Sequence, residues 1–193
     1  IADQSGRRKP WIGTFTAICV TATALLWFVY PDPASAMRAL VLVAIASAAF
    51  EFTMVFYNAM LAELAPASHV GRVSGWGWGL GYAGGLIALA LCLVGFVQTE
   101  TPWFGFGKED AANIRAVVLL VAVWYVVFSV PLFLFAPDKA DRGLSLTGAI
   151  RGGFGELVET IRRVRRYRNI VRFLVARMLY TDGLGTLFAF GGI

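Results

Sequence analysis

Long apolar runs alternate with short polar segments along this chain. Four runs carry at most one charged residue, and each reaches the roughly 20 residues that a helix needs to cross the hydrocarbon core of a bilayer. They are Trp11–Tyr30, Ala39–Ala62, Val73–Val97 and Ala116–Ala136. A fifth run, Phe173–Ile193, contains Arg177 and Asp182. The pattern predicts an all-α integral membrane protein, a helical bundle with about five transmembrane helices.

Composition supports the same fold class. Hydrophobic residues make up 58% of the chain and charged residues 15%, whereas soluble domains hold about 45–50% and about 25%. The 21 glycines and seven prolines suit transmembrane helices, which tolerate both. Because the chain starts at Ile1 and ends inside an apolar run, we expect an internal piece whose main partner is the rest of the same polypeptide.

The basic residues predict the orientation of the helices. Of 17 lysines and arginines, most fall on alternate polar segments, and the positive-inside rule places those segments in the cytoplasm. The predicted cytoplasmic set is Arg7, Arg8, Lys9, Arg72, Lys139, Arg142, Arg151, Arg162, Arg163, Arg165, Arg166, Arg168 and Arg172. Only Arg38, Lys108 and Arg115 fall on the other side. The net charge of +5 therefore indicates topology and contact with membrane lipids, and no nucleic-acid motif accompanies it.

A basic segment, 137–172, separates the fourth run from the fifth. Within it, apolar residues recur at helical spacing, which predicts an amphipathic helix along the anionic cytoplasmic leaflet. These residues are Phe154, Leu157, Val158, Ile161 and Val164. A soluble linker helix packed on protein is the alternative.

A charged turn occupies residues 1–10, directly before the first run. Asp3, Gly6, Arg7 and Arg8 form a D-x-x-G-R-R pattern, in which an acid can cap a helix, glycine permits a tight reversal and arginines hold the lipid head groups. This pattern resembles the cytoplasmic loop signature of the major facilitator superfamily. The resemblance implies a latch between the two halves of a transporter. The family's leading glycine would precede Ile1, and an ordinary charged turn is the alternative.

A longer series of motifs extends along the chain and includes F-E-F at 50–52, V-F-Y-N-A at 55–59, G-R-V-S-G at 71–75, G-L-G-Y-A-G-G at 79–85, R-Y-R-N at 166–169 and L-Y-T-D-G at 179–183. This series resembles the vacuole-effluxer branch of that superfamily, which includes fungal vacuolar amino-acid exporters linked to autophagy and bacterial relatives. The resemblance implies that residues 11–136 are helices three to six, which belong to the N-terminal half of the transporter. On the same basis, 173–193 begins the C-terminal half.

Glu51 is the most informative single residue, because a charge in the middle of a span costs from about 3 to above 10 kcal/mol. Ser47 and Asn58 lie four and seven residues from it and share its helix face. This stripe predicts a substrate or proton site, and a protonated structural glutamate between helices is the alternative.

Asp182 is the second intramembrane acid. Gly183 and Gly185 are expected to weaken the helix beside it and expose carbonyl groups. The resemblance places Asp182 and Glu51 on one central cavity, and a capping role at a helix break is the alternative. Arg177 is expected to lie on a different face from Asp182 and to reach toward the head groups.

A stripe of small residues on the third run predicts close helix packing at Gly77, Gly81, Gly84 and Gly85. The family's G-P-x-x-G-G motif is incomplete here because the proline is missing, so antiport is not inferred. His69 is expected to be a solvated loop residue, and Cys19 and Cys92 to be packing residues. The sequence shows no metal-ligand cluster, no phosphate-binding loop and no catalytic set, and so predicts neither a metal, a cofactor nor an enzyme.

These features predict a secondary transporter that moves a small solute, such as an amino acid, by alternating access, either coupled to an ion gradient such as that of protons or passively. The alternatives are a cation-coupled sugar symporter of the same superfamily and a non-transporting assembly or receptor protein. The expected location is a bacterial inner membrane, or a vacuolar membrane if the protein is eukaryotic.

Overall fold

The computed structural model describes residues 7–64, 66, 68–138, 159 and 167–190. It divides into two compact units, one comprising Arg7–Ala140 and the other Ile1–Gly6 with Asp141–Ile193. The predicted amphipathic helix at 154–164, and Asp3 and Gly6 of the signature, lie outside the described residues. The assignment of 137–172 as a linker therefore stays a prediction.

Four helices of the first unit are long and apolar enough to cross a membrane, within the ranges described. They are α1 (Lys9–Leu25), α2 (Ala36–Leu64), α3 (Val70–Cys92) and α4 (Ala112–Phe135). A 3₁₀ turn extends α1 through Leu26–Phe28, and a π-helical segment extends α3 through Leu93–Val97. The four predicted spans are confirmed.

The helices begin or end a few residues beyond the predicted runs. Lys9, Arg38, Arg72 and Arg115 all lie inside terminal helical turns, although the hydrophobic pattern assigned them to loops. Helical hydrogen bonding continues through the head-group region, whereas the apolar run covers only the hydrocarbon core. At these ends the helices therefore start two to four residues before the predicted runs.

The core of the first unit lies between α1 and α2. Small and medium side chains of α1 are buried along one face, at Ile12, Thr16, Cys19 and Ala22, and their size lets the helices approach closely. Phe15 stacks on Phe52 of α2 with ring centroids 4.9 Å apart. The second neighbour of α1 is α4: a side-chain carbon added at Gly13 would lie 3.5 Å from the ring of Phe133.

The second unit contributes one described long helix, α5 (Arg168–Phe190). It is not among the four apolar spans found in the described residues, and Arg177 and Asp182 lie within its apolar stretch. Its predicted role as a fifth span stays a prediction. The helix continues through Gly183 and Gly185, so the helix break assumed by the alternative reading of Asp182 does not occur.

Candidate functional site

The polar stripe of α2 lies on the side of the helix that faces away from α1. Successive residues of an α-helix are rotated by about 100°. On that basis the buried residues Ala49, Thr53 and Met60 cluster within about 40° of one another. Ser47, Glu51 and Asn58, all exposed, cluster on the opposite side of the helix, about 160–200° away. The packing of α2 therefore leaves the polar stripe uncovered by α1.

Other contacts of α2 lie beside the stripe without covering it. The ring of Phe50 meets Tyr125 of α4 edge-on, with centroids 6.3 Å apart. Tyr57 approaches α3, where a side-chain carbon at Gly77 would lie 3.5 Å from its hydroxyl oxygen. Within the described part of the chain, no hydrogen bond or ion pair engages the carboxyl group of Glu51. The role of the stripe as a substrate or proton site stays a prediction.

Asp182 and Arg177 lie on α5 and border the same shallow depression. Its lining comes from that single helix: Leu174, Arg177, Met178, Thr181, Asp182, Gly185 and Thr186. Arg177 and Asp182 are five residues apart, which is about 140° around the helix, and their placement on different faces stays a prediction. The predicted proximity of Asp182 to Glu51 stays a prediction.

The described part of the D-x-x-G-R-R signature leads directly into α1. Arg7 is exposed and Arg8 is 9% exposed. The backbone N–H groups of Arg8 and Lys9 donate to the two carboxylate oxygens of Asp138, at 3.0 and 3.2 Å. Sequence reasoning missed Asp138. An acid placed one residue after Pro137, at the end of a span, was the available signal.

The glycines of α3 differ in how closely other side chains approach them. Gly77 approaches Tyr57, as described above, whereas an added side-chain carbon at Gly81, Gly84 or Gly85 meets no atom of the described residues within 4 Å. Close packing at those three positions stays a prediction. The tightest glycine is one that the sequence did not indicate: a carbon at Gly95 would lie 2.6 Å from the indole ring of Trp103.

A polar and aromatic cluster joins α1, α3 and α4 at the ends opposite the signature. The Nε of Arg115 donates to the carbonyl oxygen of Trp27 at 2.8 Å, and the guanidinium lies 3.9 Å from the ring centroid of Tyr30. The buried Asn113 donates its side-chain N–H to the carbonyl oxygen of Phe96 at 2.9 Å. In the sequence, Arg115 indicates only the side of the membrane on which its segment lies. Its partner Trp27 is 88 residues away, so no local pattern indicates the contact.

The remaining predicted polar residues have ordinary surroundings. His69 is exposed and its Nδ1 lies 2.9 Å from the hydroxyl of Ser68. Cys19 and Cys92 are buried free thiols. Among the described side chains, no three potential metal ligands come together.

Comparison with known proteins agrees with this architecture. The sequence profile of the family described as vacuole effluxer Atg22 like matches residues 64–191. An MFS-type transporter of Bacillus subtilis, YxiO, is 30% identical over 187 residues, which cover 97% of this chain and 42% of that protein. No solved structure matches the chain.

Fungal proteins match as well. Autophagy-related protein 22-1 of Aspergillus fumigatus is 26% identical over 145 residues, which cover 65% of this chain and 22% of that protein. The Penicillium rubens protein of the same name is 30% identical over 125 residues, covering 60% of this chain and 20% of its own length. The chain thus spans less than half the length of these relatives. Because the family profile matches about two thirds of the chain, residues 64–191, and the MFS-type relative aligns with 97% of it, the chain belongs to the Atg22-like vacuole effluxer family of major-facilitator-type membrane transporters.

Proposed function

We propose that the complete protein moves a small solute, in the first place an amino acid, across the membrane by alternating access. Glu51 is the proton-binding or ammonium-binding group of this mechanism. The observation that carries the proposal is the exposed polar stripe at the middle of α2, formed by Ser47, Glu51 and Asn58.

Glu51 lies too far from both ends of α2 for a role at the membrane surface. Glu51 is the sixteenth residue of the 29-residue helix α2, so it lies about 22 Å from the start and about 20 Å from the end. Both distances place it near the bilayer midplane, where an uncompensated carboxylate is costly. A protonated carboxyl group, a water-filled cavity or a cationic substrate would each remove that cost.

The orientation of the stripe fits a cavity wall. Because α2 uses its opposite face to pack on α1, Ser47, Glu51 and Asn58 remain available to groups outside this helix pair. The carboxylate suits the ammonium group of an amino acid or a transported proton. The hydroxyl and amide groups beside it can form hydrogen bonds with a carboxylate or a polar side chain. The likeness to vacuolar exporters supports amino acids as the first substrate class to test.

Asp182 is the proposed second contact. It borders a depression on α5 together with Thr181 and Arg177, so a carboxylate, a hydroxyl and a guanidinium lie on one helix surface. Such a set matches a zwitterion, which carries both an anionic and a cationic group. In this proposal α2 and α5 come from the two halves of the transporter, and each supplies one wall of the cavity.

The test uses the full-length protein in liposomes. Uptake of radiolabelled amino acids and, separately, of sugars is measured with and without a proton gradient for the native protein, Glu51→Gln and Glu109→Gln. Glu109 is an exposed acid at the very start of the fourth span, before the first turn of α4, and serves as the matched control for an acid in the middle of a span. We expect Glu51→Gln to lower amino-acid uptake about tenfold or more, or to abolish its pH dependence, and Glu109→Gln to behave as the native protein.

Two results would contradict the proposal in different ways. Unchanged rate and pH dependence in Glu51→Gln would show that the glutamate is a structural, protonated residue, because glutamine retains its shape and hydrogen bonding but cannot ionise. If sugars are taken up and amino acids are not, the proposed substrate class is wrong and the sugar symporter is favoured.

A further inference from the structure

We infer that Asp138 is a positioning residue for transport. It fastens the end of α4 to the first turn of α1 and so sets where the D-x-x-G-R-R loop enters the membrane. The inference rests on the proposed transport function, but it concerns residues outside the polar stripe.

The carboxylate of Asp138 caps α1 from a remote part of the chain. Its Oδ1 accepts the N–H of Arg8 at 3.0 Å and its Oδ2 accepts the N–H of Lys9 at 3.2 Å, across 130 and 129 residues of sequence. The first N–H groups of a helix have no intrahelical acceptors, and the helix dipole favours an anion beside them. Arg8, the residue at the N-cap position, makes no side-chain cap of its own. Asp138 therefore supplies a cap that the local sequence does not.

A second contact joins the same two helix ends, and here α1 supplies the charged side chain. The ammonium group of Lys9 donates to the carbonyl oxygen of Phe133 at 2.9 Å, in the last turn of α4 (Ala112–Phe135). The last carbonyl groups of a helix lack intrahelical donors and attract cations. An anion from the end of α4 thus binds the start of α1, and a cation from the start of α1 binds the end of α4.

This double contact joins two segments that matter for the transport cycle. Arg7 and Arg8 are the last residues of the signature and lead directly into α1. Asp138 directly precedes Lys139, the first basic residue of the predicted linker. Fixing the two helix ends to each other fixes the points from which the loop and the linker depart. A latch between two conformations acts only if its residues are held at the correct place, since it biases an equilibrium by differential contacts.

The experiment compares Asp138→Asn with Asp110→Asn in the full-length protein. Asparagine at 138 directs an N–H₂ group toward at least one backbone donor, whereas Asp110 is an exposed acid at the opposite ends of the helices. The first readout is amino-acid uptake. We expect Asp138→Asn to lower the maximal rate about fivefold or more with little change in KM, and Asp110→Asn to change neither.

The second readout needs no substrate. In a background without native cysteines, a cysteine replacing Ser47 is labelled with a membrane-impermeant thiol reagent from each side in turn. We expect Asp138→Asn to change the ratio of the two labelling rates at least about threefold. A lower melting temperature with an unchanged ratio would contradict the inference and reduce Asp138 to a structural cap. Because labelling is independent of substrate, failure of the amino-acid proposal would not be mistaken for failure of this one.

A double-mutant cycle tests whether Asp138 acts through the signature loop. If it does, Arg7→Ala should add little to the effect of Asp138→Asn, because both variants disable the same latch. Additive effects would overturn the inference. If Asp138→Asn does not insert, Asp138→Ser replaces it in both experiments, since its hydroxyl can still accept one of the two N–H groups; the same outcomes decide.

Discussion

Helices α1 and α3 are both long, apolar and rich in small residues, but within the described part of the chain they pack against other helices to very different extents. α1 buries four residues along one face and is tied to α4 at both ends, through Asp138 and Lys9 at one end and Arg115 at the other. Of α3, only Cys92 is buried. Its tight contact lies beyond the helix proper, at Gly95 against Trp103.

This difference shows how similar composition can serve two purposes. The small residues of α1 meet α2 and α4 directly, so they stabilise a three-helix unit inside this chain. The stripe on α3 faces away from that unit at Gly81, Gly84 and Gly85. Its surface is therefore uncovered by the described residues. α3 is held mainly by its π-helical end.

Removal of Arg115 should produce the largest change, because it breaks one of the two ties of α1. The Arg115→Ala variant loses the bonds to the Trp27 carbonyl and the stacking on Tyr30, and we expect a loss of about 2–3 kcal/mol. Arg115→Lys retains the charge but not the planar fork, so it should lose less. Thermal unfolding of the full-length protein in detergent measures both. Equal melting temperatures for Arg115→Ala and the native protein would mean that α1 does not depend on this tie.

Substitution of Gly95 should loosen the packing of α3 at its π-helical end. A side-chain carbon there requires the indole of Trp103 to move, and because Trp103 is 44% exposed the ring has room to yield. We therefore expect a cost of about 1 kcal/mol, at the lower end of overpacking effects. Gly79→Ala is the matched control, since a carbon at Gly79 meets no described atom within 4 Å. A larger loss in Gly79→Ala than in Gly95→Ala would reverse our view of which part of α3 is packed.

The start of α2 should give the smallest effect, and it depends on pH. Hydrogen bonds from Ser35, through its hydroxyl and its N–H, together with the charge of Arg38, lower the pKa of Asp32 below its ordinary value of 3.8. A lowered folded-state pKa stabilises the protein above the ordinary value, and this stabilisation is lost as the pH falls through the folded-state pKa.

Asp32→Asn preserves a cap but cannot titrate. Its melting temperature should lie slightly below the native value at neutral pH, and the gap should close below about pH 4. A gap that stays constant down to pH 3 would show that the charge of Asp32 contributes nothing. By contrast, His69, the N-cap residue of α3, forms no side-chain cap, which agrees with the smaller number of buried residues in that helix.

Several features of the fold and site could be read from single segments of sequence. The face shared by Ser47, Glu51 and Asn58 follows from helical spacing alone, and all three are exposed together. The alternative for Asp182, a capping role at a helix break, does not fit the structure, because each of the two glycines lowers helix propensity by only about 1 kcal/mol and the helix continues through them.

The sequence by itself determined the membrane-spanning class, the four apolar helices and the family, because each depends on residues close together or on motif order. Hydrophobic run length is a local property, and the bilayer imposes it on each helix separately. Only the tertiary structure decided that Asp138 caps α1, that Arg115 binds Trp27 and that Gly95 lies against Trp103. Each of these contacts depends on how helices are aligned and rotated against one another, and that alignment is set by the packing of whole faces.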